Sequence, residues 1–332
     1  MRPLNVSSKR VMTSCADLRV LFRAPAGARR GFGHLVRCRS LARALGVRPL
    51  IALRGGSKVN EAALALGCDV VQGSASRLLT SIAPDVLVVD DPVTADARRW
   101  MAAGRRAGCL VVSVHDLGLG CLDADLVIDG SVTMNARARR GTTLAGPEFA
   151  LLDPSLVDHD GSRDPYSVLV ALGGGPRAEL AVDIAEAIVD AVPHATVRVA
   201  GGFVSAPAQV RQQITWVGPA RSLHQEMARA SVAVVGGGVS LYEACALGTP
   251  AVGVPVVAAQ RPTVAAFVAR GAAKGSTREP VSAKRVAEEC VSLLSDAATR
   301  RQLARMGKRL IDGRGAFRAA AAVALMAAEG VR

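Results

Sequence analysis

The sequence predicts an α/β protein of two Rossmann-like domains, each with a parallel sheet facing a central cleft. Short segments rich in Val, Leu and Ile alternate along the chain with segments of helical periodicity. The alternation stops at an Asp- and Pro-rich stretch near the middle of the chain and then starts again. Three glycine-rich turns follow predicted strands. A repeated strand–helix order indicates parallel strands joined by right-handed crossovers, and such sheets bind ligands beyond the carboxyl ends of their strands.

The N-terminal part contains five predicted strands. They span residues 19–23, 49–53, 84–90, 109–114 and 124–129. The strand at 84–90 is apolar enough to be buried on both faces. Helices are predicted at residues 34–45, 58–66 and 94–107. The first of these helices has apolar residues three and four positions apart, at Leu35, Cys38, Leu41 and Leu45.

The C-terminal part repeats the pattern. Its predicted strands span residues 167–172, 196–200, 214–217, 232–235 and 251–254. Helices lie between them, and three more follow at residues 282–294, 297–306 and 317–328. The last of these is rich in Ala and too short to span a membrane.

The chain divides into four segments on this pattern. Residues 1–18 are expected to be a flexible leader, and residues 19–153 the N-terminal Rossmann-like domain. Residues 154–165 contain prolines, a glycine and aspartates, which is typical of a linker. Residues 166–332 are expected to form the C-terminal Rossmann-like domain, with a last helix that can pack back on the first domain.

Composition limits the class of partner. The chain has a net charge of +13, which favours anionic partners such as nucleotide phosphates, nucleic acid or an acidic membrane surface. The arginines are scattered, and no aromatic residues interleave with basic ones as single-strand binding needs. We therefore expect an anionic partner and no nucleic acid. A peripheral contact with a membrane stays open, and the oligomeric state is not predicted.

The seven cysteines indicate a reducing compartment. None of them forms a Cys-x-x-Cys pair, and the count is odd. They are expected to be small core residues rather than a disulfide framework or a zinc site. The first 17 residues lack the apolar segment of a signal peptide. The expected location is the cytoplasm.

The first glycine turn is Gly31-Phe32-Gly33, directly before His34 and a helix. It is a poor dinucleotide fingerprint, because position 36 is Val and no acidic residue follows about 20 residues later. His34 lies at a helix start, where the positive end of the helix dipole disfavours imidazolium and leaves a neutral base. The alternative is that His34 only caps the helix.

The other two turns lie in the C-terminal part. They are Gly173-Gly174-Gly175 and Gly236-Gly237-Gly238, and backbone N–H groups in such turns hold phosphates well. Glu243 follows the last turn and has two interpretations. Ser240-x-x-Glu243 fits a capping box, which spacing alone favours. The functional alternative is a carboxylate that accepts hydrogen bonds from ribose hydroxyls.

Residues 19–37 resemble the opening of the UDP-sugar hydrolase family of pseudaminic acid biosynthesis. The family's G-x-G-H-x-x-R core is present as Gly31, Gly33, His34 and Arg37. The resemblance continues through residues 86–90, 124–126, 146–152, 171–175, 236–244, 247–250 and 260–273. It thus covers most of residues 19–275, and its motifs are specific in combination. The family is related to the lipid II N-acetylglucosaminyl transferase, and both have the GT-B fold.

The resemblance implies a mechanism and a set of site residues. His34 would activate water for attack on the anomeric carbon of a UDP-sugar, with UDP leaving and no metal or cofactor involved. Glu243 would bind the ribose, the C-terminal glycine turns the diphosphate, and Gln260 would lie near the sugar. The substrate-binding residues expected on this basis are Gly31, Gly33, Arg37, Asp90, Gly173, Gly174, Gly175, Gly237, Gly238, Ser240, Glu243 and Gln260.

The sequence departs from the family pattern on the sugar side. Pro25-Ala26-Gly27 replaces an aspartate–serine stretch, and Asp90-Asp91-Pro92-Val93 replaces an Asp-His-Tyr-Gly turn. Three functions therefore stay open. The first is a nucleotide-sugar hydrolase in surface-glycan or nonulosonic-acid-type biosynthesis, the second a GT-B glycosyltransferase with a glycan or lipid-linked acceptor, and the third a non-catalytic nucleotide-sugar-binding protein.

Overall fold

A computed structural model gives the fold of the chain. It describes residues 18–27, 31–115, 121–134, 137–138, 141–157, 163–173, 177–201, 211–218, 223–275, 277 and 280–330. Two parallel sheets account for most of the strands, and we call the parts of the chain that build them the N-terminal half (β1 to β9) and the C-terminal half (β10 to α10). Across the described residues, every helix is too short or too polar to span a lipid bilayer.

The N-terminal half is an α/β sandwich. Its strands are β1 (Val20–Pro25), β2 (Leu50–Arg54), β3 (Asp69–Val71), β4 (Val86–Val89), β5 (Leu110–His115), β6 (Cys121–Leu122), β7 (Leu126–Asp129), β8 (Arg137–Ala138) and β9 (Thr142–Ala145). Its helices are α1 (Gly33–Leu45), α2 (Ser57–Ala65), α3 (Ala75–Ile82) and α4 (Thr94–Arg106). The main sheet has the order β3-β2-β1-β4-β5-β7-β9, and β6 pairs separately with β8. Every pair in it is parallel, as the alternation predicts.

The C-terminal half repeats this architecture. Its strands are β10 (Asp164–Ala171), β11 (Thr196–Ala200), β12 (Ile214–Val217), β13 (Ala230–Gly236), β14 (Ala251–Val254) and β15 (Lys274–Gly275). Its helices are α5 (Ala178–Ala191), α6 (Leu223–Arg229), α7 (Val239–Ala246), α8 (Arg261–Ala269), α9 (Ala283–Ser295) and α10 (Ala297–Leu310). The sheet order is β12-β11-β10-β13-β14-β15, again all parallel. The order reverses beside β10, which puts β10 and β13 at the switch point where such sheets bind ligands.

The last helix, α11 (Gly315–Gly330), packs on the N-terminal half. Ala316, Ala319 and Val323 are buried in the same core as Leu35 and Leu41 of α1. The chain therefore returns from α10 to the N-terminal half through residues 311–315.

Burial of the strands follows their composition. The central strands of both sheets have no exposed residue, and their cores consist of Val, Leu, Ile and Ala. Burying one such aliphatic side chain stabilises a fold by about 1.5–3 kcal/mol. With aromatics at 3% of the chain, these aliphatic contacts supply most of the apolar burial. The five cysteines whose side chains are described are all buried and unpaired.

Candidate active site

The N-terminal half brings His34, Arg37 and Asp90 together at the carboxyl edge of its sheet. His34 and Arg37 lie one turn apart on the same face of α1. Asp90 follows β4 directly, next to the carboxyl end of β1. His34 Nδ1 lies 2.7 Å from Asp90 Oδ1, and Arg37 donates from Nε to Oδ2 at 2.9 Å and from Nη2 to Oδ1 at 2.7 Å. The motif G-x-G-H-x-x-R thus ends in a bidentate arginine–carboxylate pair.

Asp90 is held as a carboxylate. The residue is 1% exposed, and this burial raises the pKa of the carboxyl. The charges and hydrogen bonds of Arg37 and His34 outweigh burial and lower the pKa of Asp90 to about 2. A buried charge is tolerated only when it is paired and hydrogen-bonded, and here Arg37 meets both conditions. Asp90 is therefore a fixed acceptor above about pH 4.

The contacts of His34 define its tautomer. Nδ1 lies close to Asp90 Oδ1 and also 2.9 Å from Arg37 Nη2. Nδ1 cannot donate to Asp90 and also accept from Arg37. The shorter contact, to the carboxylate, fits Nδ1–H donating to Asp90. Arg37 Nη2 already donates to the same carboxylate oxygen. Nε2 makes no hydrogen bond to any residue that the structure describes, and it keeps its lone pair. An imidazole oriented by a carboxylate in this way is the usual general base.

Asp91 points to the other face of the sheet. Its Oδ1 lies 2.6 Å from Arg54 Nη2, and its Oδ2 lies 3.5 Å from Arg23 Nε. Successive residues of an extended strand point to opposite faces, so two adjacent carboxyls serve two different clusters. The sequence pattern indicates only a turn at Asp91. The residue binds β1 and β2 together at this edge.

Backbone hydrogen bonds join the two ends of the loop that contains the first glycine turn. Gly27 and Gly31 exchange two backbone hydrogen bonds of 3.1 and 2.7 Å, and Gly31 has a left-handed φ of +69°. Phe32 is the N-cap of α1 and provides no side-chain cap. Within the part of the chain that the structure describes, no N-cap side chain bonds the first N–H groups of α1, which suits a helix N-terminus that receives an anion or a polar ligand.

The third glycine turn joins β13 to α7. A Cβ at Gly237 would lie 2.6 Å from Val264 Cγ2, so this position has no room for a side chain. Gly238 is the N-cap of α7 and has no side-chain cap. Gln260 lies against the turn: its Oε1 accepts from Val256 N at 3.0 Å, and its Nε2 would lie 3.3 Å from a Cβ at Gly238.

The capping-box interpretation of Ser240 and Glu243 is wrong. The helix begins at Val239 with Gly238 as its N-cap, so Ser240 is the second helical residue and does not cap. Glu243 lies inside the helix, 7% exposed. Burial, and secondarily the charge of Asp153, raises the pKa of the Glu243 carboxyl to about 7. No hydrogen bond or ion pair joins its carboxyl group to the residues that the structure describes.

The first and third turns face each other. A Cβ at Gly33 would lie 3.4 Å from Val239 Cγ2, so the start of α1 meets the start of α7. The second turn differs. Gly173 is exposed, with a φ of +93°, and Gly174 and Gly175 lie outside the described residues. Arg177, which follows that turn, donates to the Val256 carbonyl at 2.6 Å. Within the described residues no group of three His, Cys, Asp or Glu side chains has a metal-binding arrangement.

Sequence reasoning missed one link between α1 and the C-terminal half. Arg39 and Arg43 of α1 donate to Asp153 at 3.0 and 2.7 Å, and the charge of Asp153 acts on Glu243. Asp153 was placed at a domain boundary on composition alone. The spacing of Arg39 and Arg43, four residues apart on one helix face, is the signal that was available.

Comparison with known proteins begins with sequence. No protein-family model matches the chain. The chain is 28% identical over 217 residues to the spore coat polysaccharide biosynthesis protein SpsG of Bacillus subtilis. The match covers 60% of this chain and 64% of the relative's length.

Solved structures show the fold more completely. The chain is similar to MurG of Acinetobacter baumannii, with a TM-score of 0.61 and 11% identity over 93% of this chain and 100% of the other. It is similar to the spinosyn rhamnosyltransferase SpnG in complex with thymidine diphosphate, with a TM-score of 0.60 and 16% identity over 93% and 100%. The calicheamicin glycosyltransferase CalG4 matches at a TM-score of 0.60 and 18% identity over 93% and 98%. Together with the two parallel sheets, these similarities confirm the predicted GT-B fold.

Proposed function

We propose that the chain is an enzyme of polysaccharide biosynthesis that binds a nucleotide-sugar between its two halves and transfers the sugar to an acceptor. One observation carries the proposal. An imidazole oriented by a carboxylate lies at the start of α1, and behind the facing start of α7 lies a buried carboxyl with no hydrogen-bond partner among the described residues. The similarity to SpsG and to glycosyltransferases supports a sugar nucleotide as the ligand.

The C-terminal half would bind the nucleotide. The uncapped N-terminus of α7 and the backbone N–H groups at Gly237 and Gly238 provide donors for the diphosphate. Glu243 lies one turn further along α7 and would accept hydrogen bonds from the ribose hydroxyls. A buried carboxyl without a partner is costly, and a ligand that donates to it removes that cost. Gln260, which contacts Gly238, would lie near the diphosphate or the sugar.

The N-terminal half would supply the base. His34 Nε2 takes the proton from an acceptor hydroxyl, and the hydroxyl oxygen bonds to the anomeric carbon. The bond from that carbon to the diphosphate oxygen breaks, and its electron pair leaves with the nucleoside diphosphate. Asp90 stabilises the imidazolium that forms, because it accepts from Nδ1–H in both states. Gly31 and Gly33 keep side chains away from the path of the sugar.

A hydrolase is the second candidate, in which water takes the place of the acceptor. The observation that favours it is the G-x-G-H-x-x-R segment, which resembles UDP-sugar hydrolases more specifically than it does transferases. His34 would perform the same proton transfer on water. The two functions differ only in the nucleophile, so one assay separates them.

The test measures release of nucleoside diphosphate from UDP- and TDP-sugars, with and without added acceptor glycans. Release that needs an acceptor identifies a transferase, and equal release without one identifies a hydrolase. In either case we expect His34→Ala to lower kcat by about 10²-fold or more while nucleotide affinity stays within about threefold.

His194→Ala is the matched control, since His194 is an exposed histidine next to Tyr166 at the opposite end of the C-terminal sheet. It should retain the wild-type rate. A His34→Ala variant with wild-type turnover would contradict the proposed role of His34.

A further inference from the structure

The segment after β7 joins the two halves. Val132 belongs to the N-terminal half in sequence, yet it is 1% exposed within the core of the C-terminal half. Its backbone N–H donates to Tyr242 Oη at 2.9 Å, and Arg270 donates to its carbonyl at 3.4 Å. Both polar groups of Val132 are thus bonded by side chains of α7 and of the end of α8.

Next to Val132, three chain segments cross with no space between them. A Cβ at Gly130 would lie 2.6 Å from the Ala150 Cα, and a Cβ at Gly315 would lie 2.5 Å from the Ala150 nitrogen. These are backbone contacts, which cannot move aside as a flexible side chain can. The crossing is therefore tightly packed, and the bonds to Val132 lie beside it in sequence.

Tyr242 occupies a particular place in this arrangement. It precedes Glu243 on α7, and its ring packs edge-on against Phe267 with ring centroids 4.8 Å apart. Its hydroxyl therefore connects the N-terminal half to the helix whose start faces Gly33. A change in this bond would rotate or shift α7 relative to α1, and with it Glu243 relative to His34.

We propose that Tyr242 is a positioning residue that fixes the angle between the halves by holding the Val132 backbone, so that Glu243 and His34 act on the same substrate. The inference rests on the proposed function. If the orientation of His34 relative to Glu243 is lost, the reaction rate should fall more than the binding affinity, since a displacement of 1 Å can lower a rate about 10²-fold. The proposed nucleotide contacts lie within the C-terminal half, so nucleotide affinity should not depend on the angle between the halves.

The test is Tyr242→Phe, which keeps the ring on Phe267 and removes the hydroxyl. We expect kcat to fall about tenfold, with KM and the Kd for UDP within about threefold of wild type. Small-angle X-ray scattering should show a wider distribution of distances between the halves. Arg270→Met, which removes the bond to the Val132 carbonyl, should change both measurements in the same direction by less.

The chain offers a matched control, because its sequence contains one other tyrosine, Tyr166. Tyr166 lies on β10 beside His194, and Tyr166→Phe should leave the rate and the scattering unchanged. A Tyr242→Phe variant with wild-type kcat and wild-type scattering overturns the inference, and so does one that loses only thermal stability. If wild type releases no nucleotide from any nucleotide-sugar, the proposed function fails. The scattering comparison then decides alone whether Tyr242 fixes the angle.

Discussion

Glu243 shows at the scale of a single residue how a sequence pattern and a structure can disagree. The spacing Ser-x-x-Glu predicts a cap only when the helix begins at the residue after Ser, and glycine at position 238 lets α7 begin one residue before Ser240. The carboxyl then lies buried on the helix, 7% exposed. His34, Arg37 and Asp90 were predicted as site residues, but only the structure gives their hydrogen bonds, because Asp90 is 53 residues from Arg37.

The raised pKa of Glu243 predicts a pH-dependent stability. The folded pKa is about 7 and the reference value is 4.5, so the folded protein binds the proton more tightly than the unfolded chain. The stabilisation is complete below about pH 4.5 and is lost as pH rises through about 7. Its size is at most about 3 kcal/mol, at 1.36 kcal/mol per pKa unit.

Urea unfolding of wild type and Glu243→Gln at pH 5 and pH 8 checks this. The free energy of unfolding of wild type should fall over that interval relative to the variant. Glu288→Gln, at an exposed position of α9, is the control and should follow wild type. Equal slopes for wild type and Glu243→Gln would contradict the burial argument.

The same carboxyl predicts a pH-dependent affinity. Ionised Glu243 accepts two ribose hydroxyls, and hydrogen bonds to a charged group are stronger than neutral ones by about 1 kcal/mol. Affinity for a UDP-sugar should rise about fivefold from pH 6 to pH 8 in wild type. Calorimetric titration of Glu243→Gln should show a weaker affinity that does not change with pH.

At the scale of elements, the long and regular ones were predicted and the short ones were not. The strand–helix alternation placed α1, α4, α9 and the central strands within a few residues. It missed β3, α3 and β9, because strands of three or four residues at a sheet edge carry no periodic pattern, and α3 has only its Ser74 cap as a signal. Strand β10 begins at Asp164 rather than residue 167, since the segment expected to belong to the linker pairs with Ala230.

The start of α11 provides an element-scale prediction. Gly315 contacts the Ala150 backbone, so Gly315→Ala forces the helix away from the N-terminal half. We expect the free energy of unfolding to fall by about 3 kcal/mol, the upper range for overpacking, because backbone cannot yield as a side chain does. Gly330→Ala at the other end of α11 is the control, since a Cβ there would meet nothing within 4 Å. Chemical denaturation of the two variants gives the comparison, and equal stability would contradict the close crossing.

At the scale of the whole molecule, two halves of similar fold carry different functional groups at the edges that face each other. One half offers an oriented imidazole, and the other offers a helix N-terminus with a buried carboxyl behind it. The positive charge of +13 adds a general attraction for anionic ligands that does not depend on these residues. The sequence predicted the two halves from their alternation, but not their relative placement. That placement depends on Gly130, Ala150 and Gly315, which are 20 and 165 residues apart.

A thermal-shift panel of UDP-, TDP-, GDP- and CMP-sugars, run on wild type, His34→Ala and Glu243→Ala, tests the central claim most directly. A ligand that binds only the folded state raises the Tm, by about 3 °C or more near saturation. We expect such a rise with one nucleotide base in wild type and in His34→Ala, and little or none in Glu243→Ala. A panel in which no nucleotide-sugar raises the Tm of wild type, or in which Glu243→Ala responds as wild type does, would contradict it.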